Sequence, residues 1–395
     1  MEEITFSVFN HGPAAMKNLP VLVEKFEQQY GIRVRLEVIP SSNLRWSRLV
    51  EVALYHSGPD ISEVGSTWVG DLVRMEALRP FAPDEINEIT GGTRYFDSVW
   101  QGSVKTDQGV STVYSIPLSA DTRQIFYRRD LLEKAGVAEA TAFEDFAHLE
   151  TTLECLRASH LSMPLVLTTQ PSNMTVHFIA SWVWGAGGDF LSSDGTSLAF
   201  DQPLALEGCK TYYRLGRFLS AEARGLLETE ADDAFIAGKA AVLPSGFWIP
   251  SNQLTDEVRQ NLGAAPMPGK PFVGGSNLVV WNYSRHASSA IKLIQFLHSK
   301  VAVELLYPAF GLPISEKDWG DPPFDTAVYQ VFRTCLQRGR GLPIVRLWGL
   351  VEKRLTDVFA DIWDDVLRSP RSSPDAVVES HLKGLARRLQ LTLEL

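Results

Sequence analysis

The first part of the chain alternates between strand-like and helix-like patterns of apolar residues. Apolar side chains occupy every second position over 4–8, which is the period of a strand with one buried face. Over 13–30 they instead recur three and four residues apart, and Gly31 follows. That spacing predicts an amphipathic helix ended by a glycine. Alternation returns over 32–39, so a second strand is expected there.

The same succession then repeats. The pattern predicts a helix around 44–56, a short strand over 60–64 and a further helical stretch over 68–76. This βαβαβα order favours a mainly parallel sheet with helices on both faces, whose ligands bind at the loops beyond the carboxyl ends of the strands. Polar residues and one tryptophan occupy those loops: Asn10, His11, Ser42, Thr67 and Trp68. Each polar side chain could instead cap the helix that follows it.

The length of the chain and its breakers predict two lobes. A chain of 395 residues is longer than one hydrophobic core usually serves. Pro117 interrupts an extended run over 114–130, and the glycines and prolines of 263–271 form a second break. From Phe324 onward the pattern is almost entirely helical. We expect a discontinuous first α/β lobe and a second α/β lobe with C-terminal helices, formed respectively by residues 1–117 with 266–315 and by residues 118–265 with 316–395.

Composition and charge exclude several classes of protein. Apolar residues make up 45% of the chain and charged residues 21%, as in folded globular proteins rather than disordered ones. The formal net charge is −10 and no block of Lys and Arg is dense, which argues against nucleic acid as a partner. The sequence has no run of about 20 apolar residues, the length that a membrane-spanning helix needs.

Sequence signals for catalysis and for bound metal are also missing. There is no H-E-x-x-H, G-x-S-x-G, P-loop or G-x-G-x-x-G pattern, and the eight histidines are scattered. The three cysteines lack the paired spacing of a zinc or redox site, so we expect them to be small buried apolar residues. Asp232 and Asp233 are expected to begin a helix, where the helix dipole stabilises acids. The sequence therefore predicts no metal, no cofactor and no enzymatic activity.

Four segments, in their order along the chain, resemble the sugar-binding solute-binding proteins of ABC importers, the extracellular family typified by maltose-binding protein. They are Gly58-Pro-Asp-Ile-Ser-Glu-Val64, Tyr114-Ser-Ile-Pro117, Trp184-Gly-Ala-Gly-Gly-Asp-Phe190 and Ala234-Phe-Ile-Ala-Gly-Lys-Ala-Ala-Val-Leu-Pro-Ser-Gly-Phe-Trp248. The likeness covers most of the chain, and the last segment is its most specific part. The chain departs from the family pattern at Phe247, where a proline is common, and in beginning without a secretion leader.

The resemblance implies a two-lobed, periplasmic-binding-protein-like α/β clamshell with hinge crossovers. Such a protein closes around a carbohydrate, here expected to be an oligosaccharide, and delivers it unaltered to the membrane permease subunits of an ABC transporter. Closure is then a shift between open and closed populations. We expect a monomer that is periplasmic or extracellular, either secreted or lipid-anchored after a leader has been removed.

The resemblance also points to residues that contact the sugar. A sugar presents hydroxyl groups and flat C–H faces, so its site needs aromatic platforms with polar groups beside them. The position of Trp248 matches one that commonly stacks on a sugar ring in the family, whereas Trp182 is expected in the core. The expected ligand-binding set combines aromatic platforms, loop residues and residues near the crossovers: Trp248, Trp184, Trp68, Trp348, Asn10, His11, Ser42, Thr67, Asp121, Arg123, Gly275 and Ser276. Core packing of the tryptophans, an Asp121–Arg123 ion pair and a tight turn at Gly275 are the alternatives.

Three other functions stay open on the sequence alone. Arg45, Arg48 and Arg346 would favour a charged solute such as a glycerol phosphate derivative if they faced the ligand, although exposed helix faces are the better explanation of them. A carbohydrate-active hydrolase would need two carboxylates set across the site. A sensor or intracellular regulator with the same fold is the third alternative.

Overall fold

The computed structural model describes residues 2–40, 42–172, 174–307, 309–320, 322–345, 348–368 and 373–393, without the side chains of residues 42, 43 and 391–393. The described strands, numbered along the chain, are β1 Glu3–Phe9, β2 Arg33–Ile39, β3 Ile61–Gly65, β4 Val104–Asp107, β5 Val110–Val113, β6 Ile116–Thr122, β7 Gln124–Arg128, β8 Val242–Ser245, β9 Leu262–Pro266, β10 Phe272–Val280 and β11 Arg340–Gly341. The described α-helices are α1 Pro13–Tyr30, α2 Ser42–Tyr55, α3 Val69–Arg74, α4 Pro83–Thr90, α5 Asp97–Trp100, α6 Arg129–Lys134, α7 Phe146–Ala158, α8 Thr175–Gly185, α9 Pro203–Arg214, α10 Glu228–Ile236, α11 Asp256–Asn261, α12 Ala287–Leu297, α13 Lys300–Leu306, α14 Ala327–Arg338, α15 Trp348–Arg368 and α16 Pro374–Leu393. This is the α/β class that the sequence predicted.

The chain groups into two compact units. Unit 1 comprises Met1–Asp121, Val273–Thr326 and Arg340–Gly349, and unit 2 comprises Thr122–Phe272, Ala327–Gly339 and Leu350–Leu395. Some stretches group differently from the lobes expected above, with residues 118–121, 316–326 and 340–349 in unit 1 and residues 266–272 in unit 2. Strand pairing gives a physical reason for part of this difference. Both β6 and β11 pair with β10 in unit 1, whereas β9 pairs with β7 in unit 2.

Unit 1 is built on a six-stranded sheet in the order β11-β10-β3-β1-β2, with β6 also paired to β10. Strand β1 runs parallel to β2 and β3, as the βαβαβα pattern predicted. Strand β10 is antiparallel to β3. It comes from a distant part of the chain, and it leaves β3 in the middle of the sheet. The first four residues of β3 are buried, including Ser62 and Glu63, so polar side chains of this strand face the interior.

Helix α1 begins and ends where its sequence predicts. Pro13 stands in the first turn, where a missing N–H costs no helical hydrogen bond. Gly31 ends the helix with φ at 67°, in the left-handed region, and its N–H donates to the carbonyl of Glu27. The apolar stripe, with Leu22 and Phe26 fully buried, packs into unit 1. The predicted bounds of this helix are confirmed.

Unit 2 contains a three-stranded antiparallel sheet in the order β8-β7-β9, surrounded by helices. Trp182 lies in its core, fully buried and stacked on Phe146 with the ring centroids 5.6 Å apart, as predicted. The thiols of Cys209 and Cys335 are fully buried, and burial raises the pKa of each to about 12. Cys155 is only partly buried. Among the described residues, no helix is both long enough and apolar enough to pass through a membrane.

Candidate ligand-binding site

In unit 1, two predicted ligand-binding residues, His11 and Ser276, contact a buried carboxylate. Glu63 of β3 is fully buried, and it accepts a hydrogen bond of 2.8 Å from the backbone N–H of Phe9. The Nε2 atom of His11 lies 2.7 Å from its other oxygen, and the hydroxyl of Ser276 also donates to the carboxylate. Strands β1, β3 and β10 lie side by side, so residues remote in sequence meet at the ends of these strands.

The surroundings of Glu63 keep it ionised. Burial opposes the charge and by itself would raise the pKa of the carboxyl. The charge of His11, its hydrogen bond and the donors from Ser276 and Phe9 outweigh burial, and together they hold the pKa of Glu63 below its ordinary value. Unit 1 therefore carries a buried, fully hydrogen-bonded anion at the end of its sheet.

Aromatic rings line the same end of the sheet. Trp68 is half-buried and meets the ring of Phe9 edge-on, with the centroids 6.0 Å apart. The ring of Trp46 lies 5.7 Å from that of Trp68. A Cβ at Gly65 would lie only 3.2 Å from the Trp68 indole, so the glycine lets the ring pack against the β3 backbone. These contacts hold Trp68 in place without removing it from solvent.

Arg45 covers Phe9, and Glu63 lies close enough to stabilise its charge. The Arg45 guanidinium carbon is 4.5 Å from the Phe9 ring centre, and Nη2 donates to the backbone carbonyl of Asn10 at 3.1 Å. Burial lowers the pKa of Arg45, and the charge of Glu63 acts in the opposite direction. Arg45 is thus a side chain packed on an aromatic ring near an internal anion.

The remaining predicted residues near β1 and β3 have local roles. The side-chain oxygen of Asn10 accepts the N–H of Gly12 at 2.9 Å, so Asn10 shapes the loop after β1. His11 packs against Phe310, with the ring centroids 4.3 Å apart. Thr67 lies in a short 3-10 helix after β3 and is half-buried. His11 is the member of this group whose side chain joins the Glu63 cluster.

Four further predicted residues belong to unit 1. At Gly275, φ is +137° and a Cβ would lie 2.0 Å from the carbonyl oxygen of Ser119, so packing of β10 on β6 requires this glycine. Asp121 ends the unit 1 part of β6 and is 9% exposed. Trp348 begins α15 and is 4% exposed, which favours packing. The side chain of Ser42 lies outside the described part of the structure.

In unit 2, the indole of Trp248 is held in one orientation. Its Nε1–H donates to Oδ2 of Asp232 at 2.6 Å, and the hydroxyl of Ser245 donates to Oδ1 of the same carboxylate at 2.7 Å. A Cβ at Gly246 would lie 2.2 Å from the indole, so the glycine allows the ring to fold back over its own chain. The Trp248 side chain nevertheless stays only half-buried.

Arg123 lies against the same indole. It is fully buried, and its guanidinium carbon is 5.0 Å from the Trp248 ring centre and 5.2 Å from that of Phe178. Its Nη2 contacts the sulfur of Met174 at 3.1 Å. The cation contacts π-faces in a desolvated setting, where this interaction is strongest. Arg123 therefore packs against the rings of Trp248 and Phe178 in the interior of unit 2.

The sequence prediction for Asp232 was wrong. Helix α10 begins at Glu228, and the acid that caps it is Glu230, whose carboxylate accepts the N–H of Leu227 at 2.8 Å. Asp232 follows on the next turn and is buried, while its neighbour Asp233 is exposed. Two adjacent acids in sequence therefore have opposite environments.

Burial raises the pKa of Asp232 to about 6. The hydrogen bonds from Ser245 and Trp248 and the charge of Arg123 favour the ionised form, but they only partly offset the loss of solvation. The carboxylate that orients the indole thus titrates near neutral pH.

Trp184 and His177 extend the aromatic group of unit 2 through Phe272. Trp184 is 6% exposed, stacks on Phe272 with the centroids 6.2 Å apart, and donates from Nε1 to Asp189 at 3.1 Å. His177 stacks on Phe272 at 4.0 Å, with an interplanar angle of 10°. Burial, together with the charge of Arg123, lowers the pKa of His177 well below its ordinary value, so the imidazole is neutral.

Sequence reasoning found the loops and the tryptophans but missed three titratable residues of these groups. Glu63 lies within a segment that carried the family resemblance, and Asp232 lies two residues before another, yet their types alone gave no sign of burial. His177 had only its position in an apolar helical run as a signal. In each unit, therefore, the predicted aromatic residues lie near a buried carboxylate. The sequence had not predicted the burial of either carboxylate.

Comparison with known proteins places the chain in a family. The sequence model described as bacterial extracellular solute-binding protein matches residues 12–304. The maltodextrin-binding protein MdxE of Bacillus subtilis is 27% identical over 264 residues, which cover 61% of this chain and 56% of that protein. MdxE is therefore a relative whose name states that it binds maltodextrin.

Solved structures match over nearly the whole chain. The sugar-binding protein MalE of Xanthomonas citri has a TM-score of 0.82 at 22% identity, with 99% of both chains covered. A solute-binding protein of an ABC transporter from Agrobacterium vitis, with bound D-mannitol, has a TM-score of 0.70 at 16% identity, again with 99% of both chains covered. These likenesses show the fold, and the family match spans most of the chain. The protein belongs to the bacterial extracellular solute-binding protein family.

Proposed function

We propose that this protein binds a neutral carbohydrate, most simply an oligosaccharide, and delivers it to the membrane permease of an ABC transporter. The observation that carries the proposal is the Trp248 indole, which is oriented by Asp232 and Gly246 yet remains half-buried. A flat ring held in a fixed plane suits the C–H face of a sugar. The descriptions of MdxE as maltodextrin-binding and of MalE as sugar-binding agree with this ligand class.

The charges around Glu63 in unit 1 and around Trp248 in unit 2 favour a neutral ligand over an anionic one. Arg45 lies near the ionised Glu63, and Arg123 is buried against aromatic rings. Arg48 is exposed and pairs with Glu51 at 3.1 Å. Arg346, which could also have signalled an anion, lies outside the described residues. None of the three described arginines presents the exposed, uncompensated cation that phosphate recognition would use.

Binding without chemistry is the second part of the proposal. The family is one of solute-binding proteins rather than of enzymes. The Glu63 carboxylate receives donors from Phe9, His11 and Ser276, an arrangement that stabilises a fixed anion and disfavours proton transfer. Recovery of a bound oligosaccharide unchanged after long incubation, measured by chromatography, tests this part directly.

Calorimetric titration tests the ligand class. The panel would contain maltose, maltotriose, a longer maltodextrin, D-mannitol and glycerol 3-phosphate, each titrated at low and high salt. We expect saturable binding of a neutral carbohydrate that salt does not weaken. Saturable binding of glycerol 3-phosphate alone would replace the proposal with the anionic alternative, and binding of D-mannitol alone would replace the oligosaccharide with a polyol.

A pair of variants tests the site. Trp248→Ala removes the platform and is expected to weaken binding by at least about 10-fold, because stacking adds to the burial of apolar surface. Tyr55→Ala is the matched control, since Tyr55 is 77% exposed and lies outside both groups. Equal affinity of Trp248→Ala and Tyr55→Ala would contradict the assignment of Trp248.

A further inference from the structure

The Asp232 carboxylate is buried beside the half-buried indole of Trp248. It receives two hydrogen bonds, from Ser245 at 2.7 Å and from Trp248 at 2.6 Å. Each donor bonds to a different carboxylate oxygen, so the two hydrogen bonds fix the orientation of the indole plane relative to the carboxylate plane. Strand β8 fixes the Ser245 end of this arrangement, and helix α10 fixes the carboxylate.

Stability alone does not account for a carboxylate at this position. Burial raises its pKa to about 6, which means that the folded protein binds the proton more tightly than the unfolded chain does. The ionised group therefore disfavours folding to its full extent above about pH 6, and the penalty shrinks as the pH falls and disappears below the ordinary pKa of an aspartate. A residue that weakens the folded state at neutral pH, while donor groups are aimed at both of its oxygens, is typical of a functional site.

We propose that Asp232 is a positioning residue, which fixes the plane of the Trp248 indole and thereby sets the affinity of the carbohydrate site. The inference rests on the proposed function for the ligand, but the orientation of the indole is independent of it. The ionised carboxylate makes a charge-assisted hydrogen bond, which is stronger and more directional than one to a neutral acid. Protonation weakens that bond and frees the indole to rotate.

The proposal predicts that the affinity for the carbohydrate depends on pH, and the charges near Asp232 determine where the change occurs. Arg123 faces Asp232 from the segment after β6 and favours ionisation, Asp233 on the same helix opposes it, and β8 contributes the uncharged hydroxyl of Ser245. Affinity for the carbohydrate is therefore expected to fall as the pH is lowered through about 6 and to level off above it. Asp233 is exposed, which makes it the matched control position for Asp232.

The first experiment needs no ligand. The indole N–H resonance of Trp248, identified by its loss in Trp248→Phe, is followed by NMR as the pH is changed. We expect it to shift with a midpoint near 6, to lose that titration in Asp232→Asn and to keep it in the matched variant Asp233→Asn. A resonance that does not titrate in the wild type, or titrates equally in Asp232→Asn, overturns the proposal even if no sugar has been found to bind.

The second experiment is a double-mutant cycle on affinity. Asp232→Asn is expected to weaken carbohydrate binding by about 10-fold at pH 7.5 in the wild-type background and to have little further effect in Trp248→Phe. Thermal unfolding of Asp232→Asn should be no easier than that of the wild type, since a buried charge has been removed. An equal loss of affinity in both backgrounds would show that Asp232 does not act through Trp248.

Discussion

Replacing Glu63 with alanine should destabilise unit 1 without altering its surface. The substitution removes a fully buried carboxylate that accepts the N–H of Phe9 at 2.8 Å and contacts Nε2 of His11 at 2.7 Å. Each buried donor left without an acceptor costs about 1–3 kcal/mol. The hydroxyl of Ser276 loses its acceptor as well, so with three donors orphaned we expect Glu63→Ala to lower the free energy of unfolding by at least about 3 kcal/mol.

The size of this effect makes it measurable against a close control. Glu51→Ala is the same chemical change at an exposed pair with Arg48, and such surface pairs contribute about 0–1 kcal/mol. Urea unfolding at pH 7.5, followed by circular dichroism, compares the two variants with the wild type. In thermal unfolding, a change of about 3 kcal/mol in the free energy of unfolding would shift the melting temperature of a unit of this size by about 6–12 °C. Indistinguishable unfolding of Glu63→Ala and Glu51→Ala would refute the reasoning.

The pH dependence of the difference gives a second check. The pKa of Glu63 is lowered in the folded state, so its contribution to stability is present above the ordinary pKa of a glutamate and is lost as the pH falls through the folded value. The gap between wild type and Glu63→Ala should therefore be wide at pH 7 and shrink in acid. A gap that stays constant from pH 7 to about 3 would mean that packing, rather than the charge, makes the contribution.

Three further outcomes are expected. Gly275→Ala should lower the melting temperature by several degrees more than Gly136→Ala in thermal unfolding, because both glycines have positive φ but only a Cβ at Gly275 meets backbone, at 2.0 Å. His177→Phe should reduce the loss of stability between pH 7 and pH 5 in urea unfolding, because the depressed pKa of His177 means that only the unfolded chain takes up the proton there. Trp182→Ala should cost about 3–5 kcal/mol in urea unfolding, as expected for a fully buried core residue, whereas Trp248→Ala should cost less and instead weaken binding in calorimetry.

Local patterns in the sequence were enough to predict the helices and strands that bury only one face. Helix α1 was predicted to the residue, because its apolar spacing, Pro13 and Gly31 all act within one short segment. The parallel arrangement of β1, β2 and β3 followed from the order of elements. The antiparallel β10 could not be predicted in the same way, since its partner β3 lies some two hundred residues earlier in the chain.

The candidate site was only partly predictable for a related reason. Trp248 could be singled out by type and by its segment, but the burial of Asp232 depends on where α10 begins, and Glu228 was not recognised as its start. The burial of Glu63 could not be predicted, because the sequence does not reveal that β3 is enclosed by β1 and β10. At Gly275 the sequence likewise could not show that packing against Ser119 on β6 requires a glycine.

The discontinuity of unit 1 has a consequence for the synthesis of the protein. Its central strand β3 leaves the ribosome long before its neighbour β10, which lies beyond the whole of residues 122–272. Until then the nascent sheet has an unpaired edge at β3, and such edges readily pair with other chains. The nascent N-terminal part of the sheet is therefore expected to keep this unpaired edge until β10 has been synthesised. Pairings this distant in sequence also slow folding, which keeps the new chain in an unfolded form for longer.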